Sequence, residues 1–125
     1  MNVEKIFNKN RTKNNALDLK KKFSEINLID WNETIDVDMV INATSIGLKK
    51  GEKLDIDLKK FGENKFFYDV IYDPHETKFF NTGNQKGNIF ENGLNMFLYQ
   101  AQKSFNIWHN IEPDIDEETI NLLKN

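Results

Sequence analysis

Three residue types are scarce in this sequence: cysteine is absent, proline occurs twice, and Arg11 is the single arginine among 17 Lys and Arg residues. The absence of cysteine excludes disulfides and thiolate metal sites, and it agrees with a reducing, cytoplasmic setting. His75 and His109 lie far apart and have no ligand spacing around them, so we expect no metal site. An arginine retained in a lysine-rich composition indicates a place where the planar, two-pronged guanidinium is needed.

A strong charge of either sign and long apolar runs are also missing. The net charge of −3 gives no global attraction to nucleic acid or to an anionic membrane. No apolar run approaches the roughly 18 residues that span a bilayer, and no secretory signal pattern follows Met1. We therefore expect neither nucleic acid nor a membrane as a partner. The 38% of hydrophobic residues, with ten Phe, are enough for one core, and we expect one domain over residues 1–125.

Short apolar runs alternate with helical patterns along the chain, and this alternation predicts an α/β fold with a parallel sheet. The predicted strands are Val3–Phe7, Ile26–Trp31, Met39–Asn42 within Asp36–Ala43, Phe66–Ile71 within Lys65–Tyr72, and Asn88–Phe90. The predicted helices are Lys13–Phe23 after a capping Thr12, Glu76–Lys86, a long helix after Gly93, and Asp116–Lys124. Because the run from Met39 to Ile41 is continuously apolar, we expect that strand to be buried on both faces.

The long helix carries two lines of residues. The first falls within about 100° of arc and predicts a core-facing stripe of Leu94, Phe97, Leu98, Ala101, Phe105 and Trp108. The second places Gly93, Met96 and Gln100 at i, i+3 and i+7 beside that stripe. A small residue, a flexible thioether and an amide along one edge suit the wall of a ligand site. Simple packing by Met96 and solvation of Gln100 explain the same pattern.

Small and polar residues follow four of the predicted strands at their C-terminal ends, where parallel sheets bind ligands. These segments are Asn10–Thr12, Asn42–Ser45, Asp69–Tyr72 and Glu91–Gly93. The second is either a polar turn or part of a cofactor path. In the third, Asp69 is either a buried hydrogen-bond hub or an exposed strand end, and Tyr72 belongs either to the core or to a ligand site.

The run Asn-Arg-Thr-Lys at residues 10–13 stands where an NAD-selective βαβ unit has Asp or Glu to hold the ribose 2′-hydroxyl. A carboxylate would repel a 2′-phosphate, whereas an amide, a guanidinium, a hydroxyl and an ammonium can bind it. Amides at the start of the following helix would add donors. An ordinary polar turn that ends in a capping Thr12 fits the spacing equally well.

Four motifs, N-R-T, V-I-N-A-T-S, Y-D-V-I-Y-D-P-x-x-T and N-G-L-N-M-F-L-Y-Q-A, occur in this order and spacing. Together they resemble the C-terminal half of shikimate dehydrogenase over essentially all 125 residues. The resemblance implies a Rossmann-like domain that binds NADP, with helices on both faces of a parallel sheet. It also implies a role in NADPH-dependent reduction of 3-dehydroshikimate to shikimate, a step of chorismate and aromatic amino acid biosynthesis.

The resemblance also implies roles for particular residues. It places Asn10, Arg11, Thr12 and Lys13 at the adenosine 2′-phosphate, Val70, Gly93 and Met96 at the nicotinamide side, and Tyr72 and Gln100 at shikimate. We add Asn42, Thr44 and Ser45 to the expected cofactor-binding residues. The chain departs from the family pattern at Asn95, where a second glycine is usual, at Val70, where methionine is common, and at Asn15, which is often basic.

Other family features have no counterpart in this sequence. The substrate domain, whose Lys and Asp handle the proton of the reacting hydroxyl, is missing, as are the first strand of the nucleotide-binding sheet and its Gly-rich loop; no G-x-G occurs. We therefore expect an incomplete sheet, no catalytic residue in this chain, and no activity from it alone. A fragment, a truncated frame and a split protein all fit, with an N-terminal half or a second copy as partner. A quinate/shikimate dehydrogenase and a non-catalytic nucleotide-binding or interaction module are the alternative functions.

Overall fold

The computed structural model describes residues 3–49, 51–52, 54–75, 77–79 and 87–123. The chain divides into two compact units, Met1–Ile35 and Asp36–Asn125. All the strand pairs of the described residues are parallel and are accompanied by helices, so the predicted α/β class is confirmed. The expectation of one domain over residues 1–125 stays a prediction.

The first unit is a β-α-β element. It consists of strand β1 (Ile6–Lys9), helix α1 (Lys13–Lys22) and strand β2 (Ile26–Ile29), and β1 pairs with β2 in parallel. Ala16 is the buried side chain of α1. Thr12 stands at the N-cap position as predicted, but its side chain makes no capping hydrogen bond.

The second unit is built on a three-stranded parallel sheet in the order β3-β4-β5. Its elements are β3 (Met39–Asn42), a short 3₁₀ helix (Leu58–Phe61), β4 (Phe66–Asp69), β5 (Ile89–Asn92), α2 (Leu94–His109) and α3 (Glu117–Leu122). The central strand β4 begins within the predicted Lys65–Tyr72 segment, because Phe-Phe-Tyr supplies the bulky side chains that a pleated sheet favours. The helix predicted over Glu76–Lys86 lies mostly outside the described residues.

One face of this sheet carries the core. Phe67 is fully buried and forms edge-to-face contacts with Phe61 and Phe79, with ring centroids 6.3 and 6.0 Å apart. On the neighbouring strand, Phe90 stacks on Phe67 at 4.7 Å. Aromatic pairs of this kind add about 0.5–1.5 kcal/mol each beyond the burial of their area. Leu58 completes the buried cluster.

Two burial predictions are wrong. Met39 and Ile41 are 45% and 55% exposed, so β3 is buried on the face of Val40 and Asn42 only, because the described core cluster packs against Val40 and not against these two side chains. In α2, Leu94 and Leu98 are buried as predicted and Phe97 is partly buried, whereas Ala101 and Phe105 are exposed and Trp108 is 76% exposed. A helix of 16 residues is about 24 Å long, and a four-residue strand only about 13 Å, so the second half of α2 extends beyond the sheet core.

None of the helices in the described part of the chain has both the length and the apolar character that a bilayer span requires.

Candidate functional site

The last row of the three-stranded sheet consists of Asn42, Asp69 and Asn92, which are in register across β3, β4 and β5. Here the Asp69 carboxylate lies at the centre of a buried network. Its Oδ1 accepts hydrogen bonds from Asn42 Nδ2 at 3.1 Å and from the Ile71 amide at 3.2 Å, and its Oδ2 accepts from the Thr77 hydroxyl at 2.5 Å. Asp69 is therefore a buried hub, the first of the two predicted alternatives.

The loop after β3 is fixed by Asn42, which is itself almost fully buried. Asn42 Oδ1 accepts from the amide and the hydroxyl of Thr44, at 3.2 and 2.8 Å, and Thr44 Oγ1 accepts from the Ile46 amide at 3.1 Å. Thr44 and Ser45 are exposed on this loop. The amide of Asn42 thus holds the loop in place, and contact of Asn42, Thr44 and Ser45 with a cofactor stays a prediction.

Gly93 precedes α2 and lies against the backbone that leaves β4. A Cβ at this position would lie 2.1 Å from the Val70 carbonyl oxygen and 2.7 Å from its carbon. The Gly93 amide donates to the Ile71 carbonyl at 3.2 Å. Since the φ of Gly93 is −74°, the close approach of the two chain segments, and not a special backbone angle, requires glycine here. The structure thus brings Val70 and Gly93, both predicted to lie at the nicotinamide side, into contact.

Three further predicted residues lie close to this contact in sequence. Tyr72 stacks on Phe97 of α2 with ring centroids 4.5 Å apart, and its side chain is partly buried. Met96 and Gln100 are both exposed on α2. These positions leave Met96 and Gln100 available to a ligand, and their contacts with cofactor or substrate, like that of Tyr72, stay predictions.

The remaining predicted residues lie in the first unit, between β1 and α1. Asn10 Oδ1 accepts from the Thr12 amide at 2.9 Å, which forms a tight turn before the helix. Arg11, Thr12 and Lys13 are exposed, and no acidic residue lies in the first turn of α1. The positive end of the helix dipole and two adjacent cations therefore face solvent without a compensating carboxylate in that turn.

The amides of Asn15 and Ala16 donate to the Thr12 carbonyl, as the beginning of a helix requires. Those of Lys13 and Asn14 lie at the open helix end, where amides have no carbonyl within the helix. With the free Thr12 hydroxyl, they form a set of donors that fits an anion such as a 2′-phosphate.

Away from these segments, two ionisable groups of the second unit have shifted pKa values. Partial burial, and secondarily the Glu91 carboxylate, raise the pKa of the Tyr68 phenol. The hydrogen bond and charge of Lys65, whose Nζ lies 2.6 Å from Asp36 Oδ1, lower the pKa of Asp36. Within the residues that the structure describes, no cluster of three or more His, Asp or Glu side chains is arranged to hold a metal ion.

Sequence reasoning missed the role of two residues. Thr77 is the buried hydroxyl partner of Asp69. The signal for it in the sequence is its position in the motif D-P-x-x-T, three residues after Pro74. Asn92 accepts from the Leu94 amide through Oδ1 at 3.1 Å and donates to the His75 carbonyl at 3.0 Å, so it supports the start of α2. Asn is a common residue before a helix, which is the signal that could have identified it.

Residues 93–117 match the Shikimate 5′-dehydrogenase C-terminal domain family. Over 121 residues the chain is 56% identical to the shikimate dehydrogenase (NADP(+)) of Pelagibacter ubique, which covers 97% of this chain and 46% of that protein. The fold is similar to that of a chorismate mutase/shikimate 5-dehydrogenase fusion protein from Clostridium acetobutylicum, with a TM-score of 0.77, 30% identity, and coverage of 98% of this chain and 45% of that one.

The fold is similar as well to that of shikimate 5-dehydrogenase from Thermus thermophilus in complex with NADP(H) and shikimate. The TM-score is 0.77, the identity 26%, and the match covers 88% of this chain and 42% of that one. The chain therefore spans less than half the length of each of these relatives.

Proposed function

Because this chain belongs to the shikimate dehydrogenase family, through its match to the C-terminal part of those proteins, we propose that it is the NADP-binding part of such an enzyme. In the complete enzyme, NADPH reduces 3-dehydroshikimate to shikimate. We place this dehydrogenase in the cytoplasm, because a chain without cysteine forms no disulfides and so needs no oxidising compartment.

The observation that carries this proposal is the open N-terminus of α1. Arg11 and Lys13 flank a Thr12 whose hydroxyl does not cap the helix, and the first turn contains no carboxylate. A guanidinium and a helix start without acidic residues bind the 2′-phosphate of NADP, while NAD offers only a hydroxyl there. The residues present therefore fit the phosphorylated cofactor.

The bound cofactor supplies the hydride, and this chain binds and orients it. The contact of Gly93 with Val70 keeps side-chain atoms away from the start of α2, and this suits the close approach of a flat nicotinamide ring. Asp69, Asn42 and Thr77 hold the backbone on which that contact depends. Tyr72 and Gln100 are the residues that we assign to the substrate side.

The test compares binding of NADP⁺ and NAD⁺ to the purified chain by isothermal titration calorimetry, with NMR titration for weak binding. We expect Arg11→Ala to weaken NADP⁺ binding on the order of 10–100-fold, because a hydrogen bond to a charged group contributes about 1.5–3 kcal/mol. NAD⁺ binding should change little.

Lys22→Ala is the matched control, because it removes one positive charge at the opposite end of α1. It should leave the ratio of NADP⁺ to NAD⁺ affinity unchanged. Equal losses of both cofactors in Arg11→Ala would contradict the assignment of the 2′-phosphate to Arg11.

A further inference from the structure

The peptide group between Val70 and Ile71 joins the buried carboxylate of Asp69 to the contact at Gly93. Its N–H, which belongs to Ile71, donates to Asp69 Oδ1 at 3.2 Å. Its carbonyl, which belongs to Val70, faces Gly93, where a Cβ would lie 2.1 Å from the oxygen. A single peptide group therefore separates the carboxylate from the contact that we assign to the nicotinamide side.

The carboxylate of Asp69 has neutral groups as its hydrogen-bond partners. Asp69 is 1% exposed, and its oxygens accept from the Asn42 amide, the Ile71 N–H and the Thr77 hydroxyl. Among the residues that the structure describes, no lysine or arginine forms an ion pair with Asp69. Its negative charge is therefore screened at close range neither by bulk water nor by a described cation.

The orientation of the Val70–Ile71 peptide group extends the effect of this charge toward Gly93. The N–H, which is the positive end of the peptide dipole, lies against the carboxylate, and the carbonyl oxygen, which is the negative end, lies against Gly93. Hydrogen-bonded groups in series polarise one another in surroundings of low dielectric constant, so the bond to Asp69 makes the Val70 oxygen more negative. The Ile71 carbonyl accepts from the Gly93 amide at 3.2 Å and holds the two segments together.

A negative potential at this place distinguishes the two oxidation states of a nicotinamide ring. The ring of NADP⁺ carries one positive charge, and the ring of NADPH carries none. A buried carboxylate attracts the charged ring, because opposite charges attract each other more strongly inside a protein than in water. The neutral ring gains no such attraction.

We propose that Asp69, through the Val70–Ile71 peptide group, makes this chain bind the oxidised cofactor more tightly than the reduced one. The proposal rests on the proposed function, because it takes the nicotinamide ring to lie beside Val70 and Gly93. Asp69 is thereby a residue that determines specificity for the oxidation state. It is not a catalytic residue, since a peptide group separates its carboxylate from the cofactor.

Two substitutions separate the charge of Asp69 from its hydrogen bonds. Asp69→Asn removes the charge and keeps the shape of the side chain. The new amide oxygen can accept from Asn42 and the Ile71 N–H, and the new NH₂ group can donate to the Thr77 hydroxyl, which accepts as well as donates. Thr77→Val has the opposite effect, because it removes the hydroxyl hydrogen bond to Asp69 and keeps the charge.

The test measures the dissociation constants of NADP⁺ and NADPH for the purified full chain by NMR titration. The wild type should bind NADP⁺ more tightly. In Asp69→Asn, the ratio of the two constants should shift toward NADPH by about 3–30-fold, because unit charges several ångströms apart still attract each other inside a protein. Thr77→Val should weaken the binding of both forms and keep the wild-type ratio.

Asp55→Asn is the matched control, because it removes one negative charge from an exposed side chain of the same unit. Its ratio should equal that of the wild type, since water and salt screen an exposed charge. The proposal is overturned if Asp69→Asn keeps the wild-type ratio, or if Asp55→Asn or Thr77→Val shifts the ratio as far. It is also overturned if the wild type binds both forms equally or binds neither.

Circular dichroism checks the fold of each variant, and the wild-type ratio decides the outcome if Asp69→Asn is unfolded. Both probes carry the 2′-phosphate, so its contribution cancels in the ratio. An unchanged ratio beside an intact effect of Arg11→Ala contradicts this inference alone. A shifted ratio without an effect of Arg11→Ala contradicts only the assignment of the 2′-phosphate.

Discussion

At the scale of single residues, Gly93 shows how a short motif fixes a position through sterics. The Val70 carbonyl group occupies the space that a Cβ would need, and backbone atoms on both sides of the contact cannot rotate away as a side chain can. Overpacking of this kind typically costs about 1–3 kcal/mol. We therefore expect Gly93→Ala to lower the free energy of unfolding by about that amount, as measured by urea denaturation.

Tyr99→Ala on the same helix is the control, because Tyr99 is exposed and such substitutions usually change stability by less than about 0.5 kcal/mol. Similar urea midpoints for Gly93→Ala and the wild type would mean that the two segments separate at little cost. The contact could then not be what requires glycine.

The family resemblance predicted that Gly93 and Val70 both lie at the nicotinamide side. The structure shows that they are in contact and that the Val70 carbonyl leaves no room for a side chain at position 93. For Asp69, the sequence left two alternatives open, because an acidic residue at a strand end is compatible with both burial and exposure. The choice depends on Thr77, which is eight residues away, and on Asn42, which is 27 residues away. A local pattern contains no information about such distant partners.

At the scale of elements, the positions of all five strands were predicted to within a few residues, since each has its own apolar run bounded by polar residues. The boundaries moved most in β1, which is Ile6–Lys9 instead of Val3–Phe7. The burial of α2 was predicted correctly for Leu94 and Leu98 near its start, and wrongly from Ala101 onward. Periodicity shows which side of a helix is apolar, but not how far the core extends along it.

This uneven burial of α2 leads to a prediction. Leu98 is almost fully buried and Phe105 is 41% exposed, although both belong to the same apolar stripe. Leu98→Ala should destabilise the chain by about 2–5 kcal/mol, because it leaves a cavity. Phe105→Ala should cost less than Leu98→Ala, about 1–2 kcal/mol, since 41% of the Phe105 surface is already in contact with water.

Thermal or urea unfolding monitored by circular dichroism measures both variants. If Phe105→Ala destabilised the chain as much as Leu98→Ala, the second half of α2 would be packed in solution, contrary to the structure. The helix-neutral substitution Lys103→Ala serves as a reference for the effect of a surface change in the same segment.

At the scale of the whole molecule, sequence patterns predicted the α/β class but not the division into two units or the exposure of Met39, Ile41 and Ile89. The apolar runs of β3, β4 and β5 are the same whether or not a covering layer is present. The prediction that β3 is buried on both faces therefore applies only to a sheet that has a helix layer on each face. It failed because Met39 and Ile41 are about half exposed in the part of the chain that the structure describes.

The two units differ in how much apolar surface they bury, and this difference predicts how the molecule unfolds. In the described part of Met1–Ile35, Ala16 is the only buried hydrophobic residue, and the sheet has two strands. Two-stranded sheets are marginal on their own. The second unit buries a cluster around Phe67 and has a central strand, β4, with a neighbour on each side.

We therefore expect amide hydrogen exchange at neutral pH to be at least 100-fold faster in β1 and β2 than in β4, because local opening of the first unit exposes little apolar surface. Two-dimensional NMR of the full chain measures this ratio. Saturating NADP⁺ should slow exchange in β1 and β2 selectively, since a ligand stabilises the folded form of the unit that it binds by RT ln(1 + [L]/Kd). Equal protection of β1 and β4 without ligand would show that the first unit is held by more than its own contacts.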